Sequence, residues 1–136
     1  MGSSLNNIGI VYYSKGDYEK ALEYLDKSLS IQKKIGLGGE LPLCTNTFLY
    51  LNYKHLGKAY DVNDIHALIK DAENIEFEIN YQLYKLLEEK SYLETAYNQV
   101  QEKADNLKPD IVTKFLSYPI PKAIVEEWEK VTTDKN

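Results

Sequence analysis

Arginine is absent from this chain. All 16 basic residues are lysine, so no side chain offers the planar bidentate fork that reads guanine edges, phosphates and carboxylates. With 21 acids against those lysines the formal net charge is −5. An acidic chain without arginine is poorly suited to nucleic acid or to an anionic membrane surface. Cysteine is scarce as well: Cys44 stands alone, which excludes an internal disulfide framework and fits a reducing, cytoplasmic setting. No apolar run approaches the roughly 20 residues that span a bilayer, and no basic start followed by an apolar stretch and a small-residue cleavage site marks a secretory signal.

What is present is the composition of a globular protein. Apolar residues make up 43% and charged residues 27%, too apolar for a disordered chain. The 136 residues read most simply as one domain, 1–136, able to bury a core if its helices stack. The charge is uneven: residues 1–60 carry seven Lys against five acids, and residues 61–136 carry nine Lys against sixteen acids.

The first 36 residues are the most informative. Leu5 to Ser14 is compatible with helix, and Lys15-Gly16-Asp17 interrupts it. Gly16 can adopt the left-handed conformation that closes a helix, and Asp17 can cap the next one. From Tyr18 the apolar residues Tyr18, Ala21, Leu22, Leu25, Leu29 and Ile31 draw one stripe in steps of three and four. Lys33-Lys34 suit the negative end of a helix dipole, and Gly36-Leu37-Gly38-Gly39 ends the helix. Two helices joined by so tight a turn pack antiparallel.

The stretch LNNIGIVYYSKGDYEKALEYLDKSLSIQKKIG resembles a tetratricopeptide repeat. Gly9 stands at the small first-helix position, flanked by Ile8 and Tyr12 at the large ones. Gly16 and Tyr18 match the turn, Ala21 the small second-helix residue, and Leu25 its bulky partner. Ser28 replaces the usual alanine, and the closing proline is missing. The run-on SIQKKIG resembles the longer repeats of kinesin light chains and of bacterial signalling proteins.

Downstream the pattern decays. Glu40 to Leu56 reads as a long helix ended by Gly57, and Asp61-Val62-Asn63-Asp64 as a capped start with an acid three residues after the cap. Ile65, Leu68, Ile69 and Ala72 then form a short stripe. Asn74 to Glu89 and Tyr92 to Leu107 make a further pair, broken at Lys90-Ser91. Pro109 suits a first turn through Leu116, YPIP interrupts at residues 118–121, and Ile124, Val125 and Trp128 mark a last amphipathic helix. The organisation expected is a clear repeat at 3–36, degenerate repeats at 40–72 and 74–107, and a cap at 109–131. The fold class is all-α, with antiparallel helix pairs stacked as a short right-handed solenoid ending in a C-terminal capping helix.

No chemistry emerges from the polar residues. His55, His66 and Cys44 lack metal-ligand spacing, so no metal and no cofactor is expected. Cys44 has no thiol-enzyme context and reads as a small buried residue. Glu88-Glu89 and Glu126-Glu127 are neighbours that diverge on a helix rather than acid/base pairs. The glycines at 36–39 lack the Lys-Ser/Thr of a phosphate loop. No catalytic residue is assigned.

The resemblance implies a non-catalytic module that binds a peptide or partner domain on a concave face lined by the first helix of each pair. The positions it points to are Asn6, Asn7, Ile10, Tyr13 and Ser14, extended in the weaker repeats to Thr47 and Lys54 and to Tyr81, Gln82 and Lys85. Asn6 replaces the lysine that would grip a terminal carboxylate. The tail more weakly resembles helical repeats behind nucleotide-cyclase and other signalling domains, which implies the alternative of a regulatory or oligomerisation tail of a larger bacterial protein. Because Leu5, Ile8, Ile10, Val11, Tyr12 and Tyr13 point nearly all round the first helix, self-association through the N-terminal pair is also expected.

Overall fold

Eight α-helices and no strand occur among the described residues, 2–133, of a computed structural model. Met1 and residues 134–136, the outer ends of the 1–136 reading, lie outside the described residues. The helices fall into two compact units, Met1–Ile75 and Glu76–Asn136. The first contains α1 (Gly2–Ser14), α2 (Tyr18–Lys34), α3 (Glu40–Leu56) and α4 (Val62–Asp71), and the second contains α5 (Phe77–Leu87), α6 (Lys90–Asp105), α7 (Pro109–Ser117) and α8 (Pro119–Thr133). Helices adjacent in sequence pack on each other within each unit, most extensively α1 on α2 and α5 on α6. The architecture is all-α and of the tetratricopeptide-like paired type.

Local chemistry explains the first turn. Gly16, at φ 82, donates to the carbonyl of Tyr13, and Asp17 donates to that of Tyr12, both at 3.0 Å. These two bonds satisfy carbonyls that α1 would otherwise leave open, and the left-handed residue between them is a glycine because a Cβ there is strained. Asp17 then serves the next helix: its carboxylate accepts from the Lys20 amide at 3.3 Å. The end of α2 repeats the device, with Gly36 (φ 66) donating to Lys33 and Leu37 to Gln32.

The α1–α2 contact is set by Gly9. A Cβ there would fall 2.7 Å from Leu25 Cγ and 2.8 Å from Leu25 Cδ2, so only glycine permits the approach. Ala21 and Leu25 are completely buried, each leucine of this kind contributing roughly 1.5–3 kcal/mol. The stripe on α2 then turns polar. Ser28 and Gln32 are buried, whereas Leu29 and Ile31 are only half-buried beside them. Hydrogen bonding, described below, is what makes burial of those two polar residues tolerable.

In the second unit α5 begins at Phe77, three residues later than expected, because the Glu76 carbonyl already accepts the Ile79 and Asn80 amides from an extended cap. The break between α5 and α6 falls at Glu88-Glu89 rather than Lys90-Ser91. Glu88 caps α5 in the left-handed region, at φ 56, and Glu89 is the extended cap of α6. These two glutamates therefore form a turn and do not sit together on a helix. The interruption at YPIP shrinks to Tyr118, since α8 starts at Pro119. Pro119 and Pro121 fit inside its first turn, where backbone N–H groups have no intrahelical acceptor to lose. Leu93, Ala96, Val100 and Ala104 of α6 meet Phe77, Phe115 and Ile124 in one core.

Candidate protein-binding surface

Helix α1 carries five of the ten expected contact positions, and its neighbours decide which of them remain accessible. Gly9 faces α2 through Leu25. Asn6 and Tyr13 face α3. Asn6 is 3% exposed, and its Oδ1 accepts from Thr45 Oγ1 at 2.7 Å while its Nδ2 lies 3.7 Å from Cys44 Sγ. Gln32 Nε2 donates to Thr45 Oγ1 at 2.8 Å and to Ser28 Oγ at 2.9 Å. A buried polar chain thus runs Ser28–Gln32–Thr45–Asn6 and ties α2, α3 and α1 together. Ser28, the departure from the expected alanine, is there as an acceptor for Gln32. Cys44 is half-buried beside this chain rather than a purely apolar filler.

Tyr13 is 9% exposed. Its ring meets Phe48 edge-on, with centroids 5.4 Å apart, and its hydroxyl lies 3.4 Å from His55 Nε2. The His55 imidazole stacks on Tyr18 at 4.5 Å with only 6° between the planes. His55 is therefore held by aromatic packing at the end of α3.

The opposite side of α1 is open. Asn7, Val11 and Ser14 are exposed and Ile10 is half-buried. Their spacing, i, i+3, i+4 and i+7, places them on one stripe. Ile8 (40% exposed) and Val11 (50% exposed) are the large apolar residues α1 leaves to solvent. Of the remaining expected positions in this unit, Thr47 is fully buried and donates to the Leu43 carbonyl at 2.7 Å, whereas Lys54 is exposed.

In the second unit Gln82 is buried, 6% exposed. Tyr81 and Lys85 are half-buried, with the Lys85 ammonium 5.4 Å from the Tyr81 ring centroid. Burial lowers the Lys85 pKa. It raises that of Tyr81, with a smaller push from the Glu127 carboxylate. Four of the ten expected side chains (Asn6, Tyr13, Thr47 and Gln82) are thus committed to packing, and Asn7, Ile10, Ser14, Lys54, Tyr81 and Lys85 keep accessible surface. Asn6 and Tyr13 are covered because α3 packs against that side of α1.

A cleft of about 730 Å³ between α2, α3 and α4 has no counterpart in the sequence reading. Tyr50 stacks on Tyr53 and Tyr60 at 5.9 and 5.5 Å, and its hydroxyl donates to Asp64 at 3.0 Å. Asp64 is thus engaged by Tyr50. Asp26 also lines the cleft; burial raises its pKa and the Lys33 charge partly offsets this. The tyrosine pair at 50 and 53 was a visible i, i+3 signal, but Tyr60 joins it only through the α3–α4 turn.

Among the described residues no group of three or more His, Cys, Asp or Glu is placed to hold a metal ion, and no helix is long and apolar enough to cross a membrane. Residues 3–34 match the sequence model of the family described as tetratricopeptide repeat. No curated protein and no solved structure matches the chain.

Proposed function

The chain carries a tetratricopeptide repeat in α1 and α2, a unit that generally mediates protein–protein interaction and is typically non-catalytic, and from that premise we propose that it holds a partner polypeptide on the solvent-facing stripe of α1. The repeat match is the observation that carries the reading. Asn7 and Ser14 supply donors and acceptors for an extended backbone, and Ile10 and Val11 supply apolar contact between them. Lys54 on α3, and Tyr81 and Lys85 on α5, are further contact positions by the same repeat logic. Affinity purification with the intact protein, followed by mass spectrometry, tests this. Ile10→Asp should lose partners that Lys27→Ala, on the exposed face of α2, retains. Identical captures by both variants would place the binding surface elsewhere.

Ile8 and Val11 favour a second use of the same helix. Exposed apolar pairs at i, i+3 are natural contacts for a second copy of the chain. Light scattering of the intact protein should then show association that Ile8→Asp removes; a concentration-independent monomer would exclude it.

A further inference from the structure

The second unit contains a cavity of about 520 Å³ where the start of α5, the end of α6, α7 and the start of α8 meet. Its floor is aromatic. Phe77 and Phe115, both buried, meet edge-to-face with centroids 6.0 Å apart. The Lys103 ammonium lies over both rings, 5.9 Å from one centroid and 5.7 Å from the other. Ile111 and Tyr118 form the rim, 45% and 48% exposed, so the cavity is an open groove and not an enclosed chamber.

The charge of this groove runs against that of its surroundings. Residues 76–136 contain eight Lys and twelve acids, yet the charged residues lining the cavity are Lys103, Lys114 and Glu78. Among the described residues neither lysine forms an ion pair. The first turn of α8, residues 119–121, also lines the groove, and of its three residues only Ile120 carries a backbone N–H. An ammonium resting on two ring faces gains a cation–π attraction but keeps its donors available. Apolar walls and an unpaired positive rim complement a ligand that is apolar at its centre and anionic at its edge.

We propose that this groove binds an acidic amphipathic peptide segment of a partner protein: a leucine or phenylalanine side chain enters over Phe77 and Phe115, and flanking Asp or Glu carboxylates accept from Lys103 and Lys114. The site is separate from the α1 stripe and does not depend on it. A volume of about 520 Å³ is within the ~300–1,000 Å³ of small-ligand pockets, and the open rim lets the peptide backbone pass outside it.

Fluorescence anisotropy with the intact protein tests the proposal. The probe is a short labelled peptide alternating Leu or Phe with Asp or Glu, and the control has Lys at every acidic position. The acidic peptide should bind with an affinity that falls as salt rises, and the lysine peptide should not bind. Lys103→Gln and the exposed Lys114→Gln should each weaken binding roughly tenfold, the loss of one charge-assisted contact. Ile111→Asp should abolish it, and Lys27→Ala in the first unit should leave it unchanged. Circular dichroism melts confirm that each variant folds. Equal binding of both peptides, no binding of either, or indifference to Lys114→Gln would overturn the proposal. So would sedimentation with phosphatidylglycerol vesicles in the absence of peptide binding, which would assign the groove to lipid.

Discussion

Gly9 shows how a single hydrogen atom sets a helix–helix distance. On helix propensity alone, Gly9→Ala stabilises by about 1 kcal/mol. The added methyl, however, lands 2.7 Å from a Leu25 side chain that is fully buried and 3.3 Å from the Ala21 carbonyl, so the packing of α1 on α2 must shift to admit it. Overpacking of this kind costs ~1–3 kcal/mol, so Gly9→Ala should lower stability in urea unfolding. Thr45 is a second such position. It donates to Asn6 and accepts from Gln32, and Gln32 Oε1 is already buried without a hydrogen-bond partner among the described atoms. Thr45→Val keeps the shape but removes the hydroxyl that links α3 to the other two helices. It should cost ~1–3 kcal/mol by equilibrium unfolding, a loss unexpected for a threonine-to-valine change in an apolar site.

At the scale of elements, the ends of helices are more informative than their middles. Gly16, Gly36 and Gly57 mark left-handed terminators that were legible because glycine is the residue that adopts that region freely. Glu88 does the same work at φ 56 without being glycine, and for that reason the sequence pattern points to a break two residues beyond the true α5–α6 boundary. Holding a β-carbon in the left-handed region costs ~1–2 kcal/mol. Glu88→Gly should therefore raise stability by ~0.5–1 kcal/mol after the added chain entropy of glycine, seen as a higher melting temperature. No gain on substitution would mean that the glutamate side chain compensates for its backbone. Asp61 caps α4 by accepting from the Asn63 amide at 2.9 Å, as its sequence context suggested. The acid three residues on, Asp64, accepts a hydrogen bond from Tyr50 across the α3–α4 turn, a role that adjacent sequence does not reveal.

At the scale of the whole molecule, each unit holds a tyrosine whose ionisation is strongly opposed. Burial, then the hydrogen bond and charge of Asp64, push Tyr50 up to about 12. The hydrogen bond to Glu127, 2.6 Å away, and then burial push Tyr84 up to about 12. The unfolded chain releases these protons near the ordinary value of about 10, so above it the unfolded state binds fewer protons than the folded one. This contribution to stability is complete below pH ~10 and is lost as the pH rises from there towards about 12. Urea unfolding across that range should show falling stability. Tyr84→Phe should reduce the slope relative to the parent, since lysine titration is common to both proteins. Equal slopes would show that the Glu127 contact does not survive in solution.

The sequence by itself determined the helical class, the first helix pair and the positions of most turns. These depend on local rules: apolar steps of three and four, caps within three residues, and glycine at left-handed backbone. Tertiary structure decided which side of each helix is covered. Asn6 and Tyr13 on α1 have the exposed spacing of a binding stripe, yet α3 buries both, while Asn7 and Val11 on the same helix stay open. Nor could spacing disclose that Ser28, Gln32, Thr45 and Asn6 form one chain across three helices. The groove over Phe77 and Phe115 likewise required residues from four helices to meet. A hydrogen bond or a cavity belongs to pairs of distant residues, and periodicity within one helix contains no information about its partner.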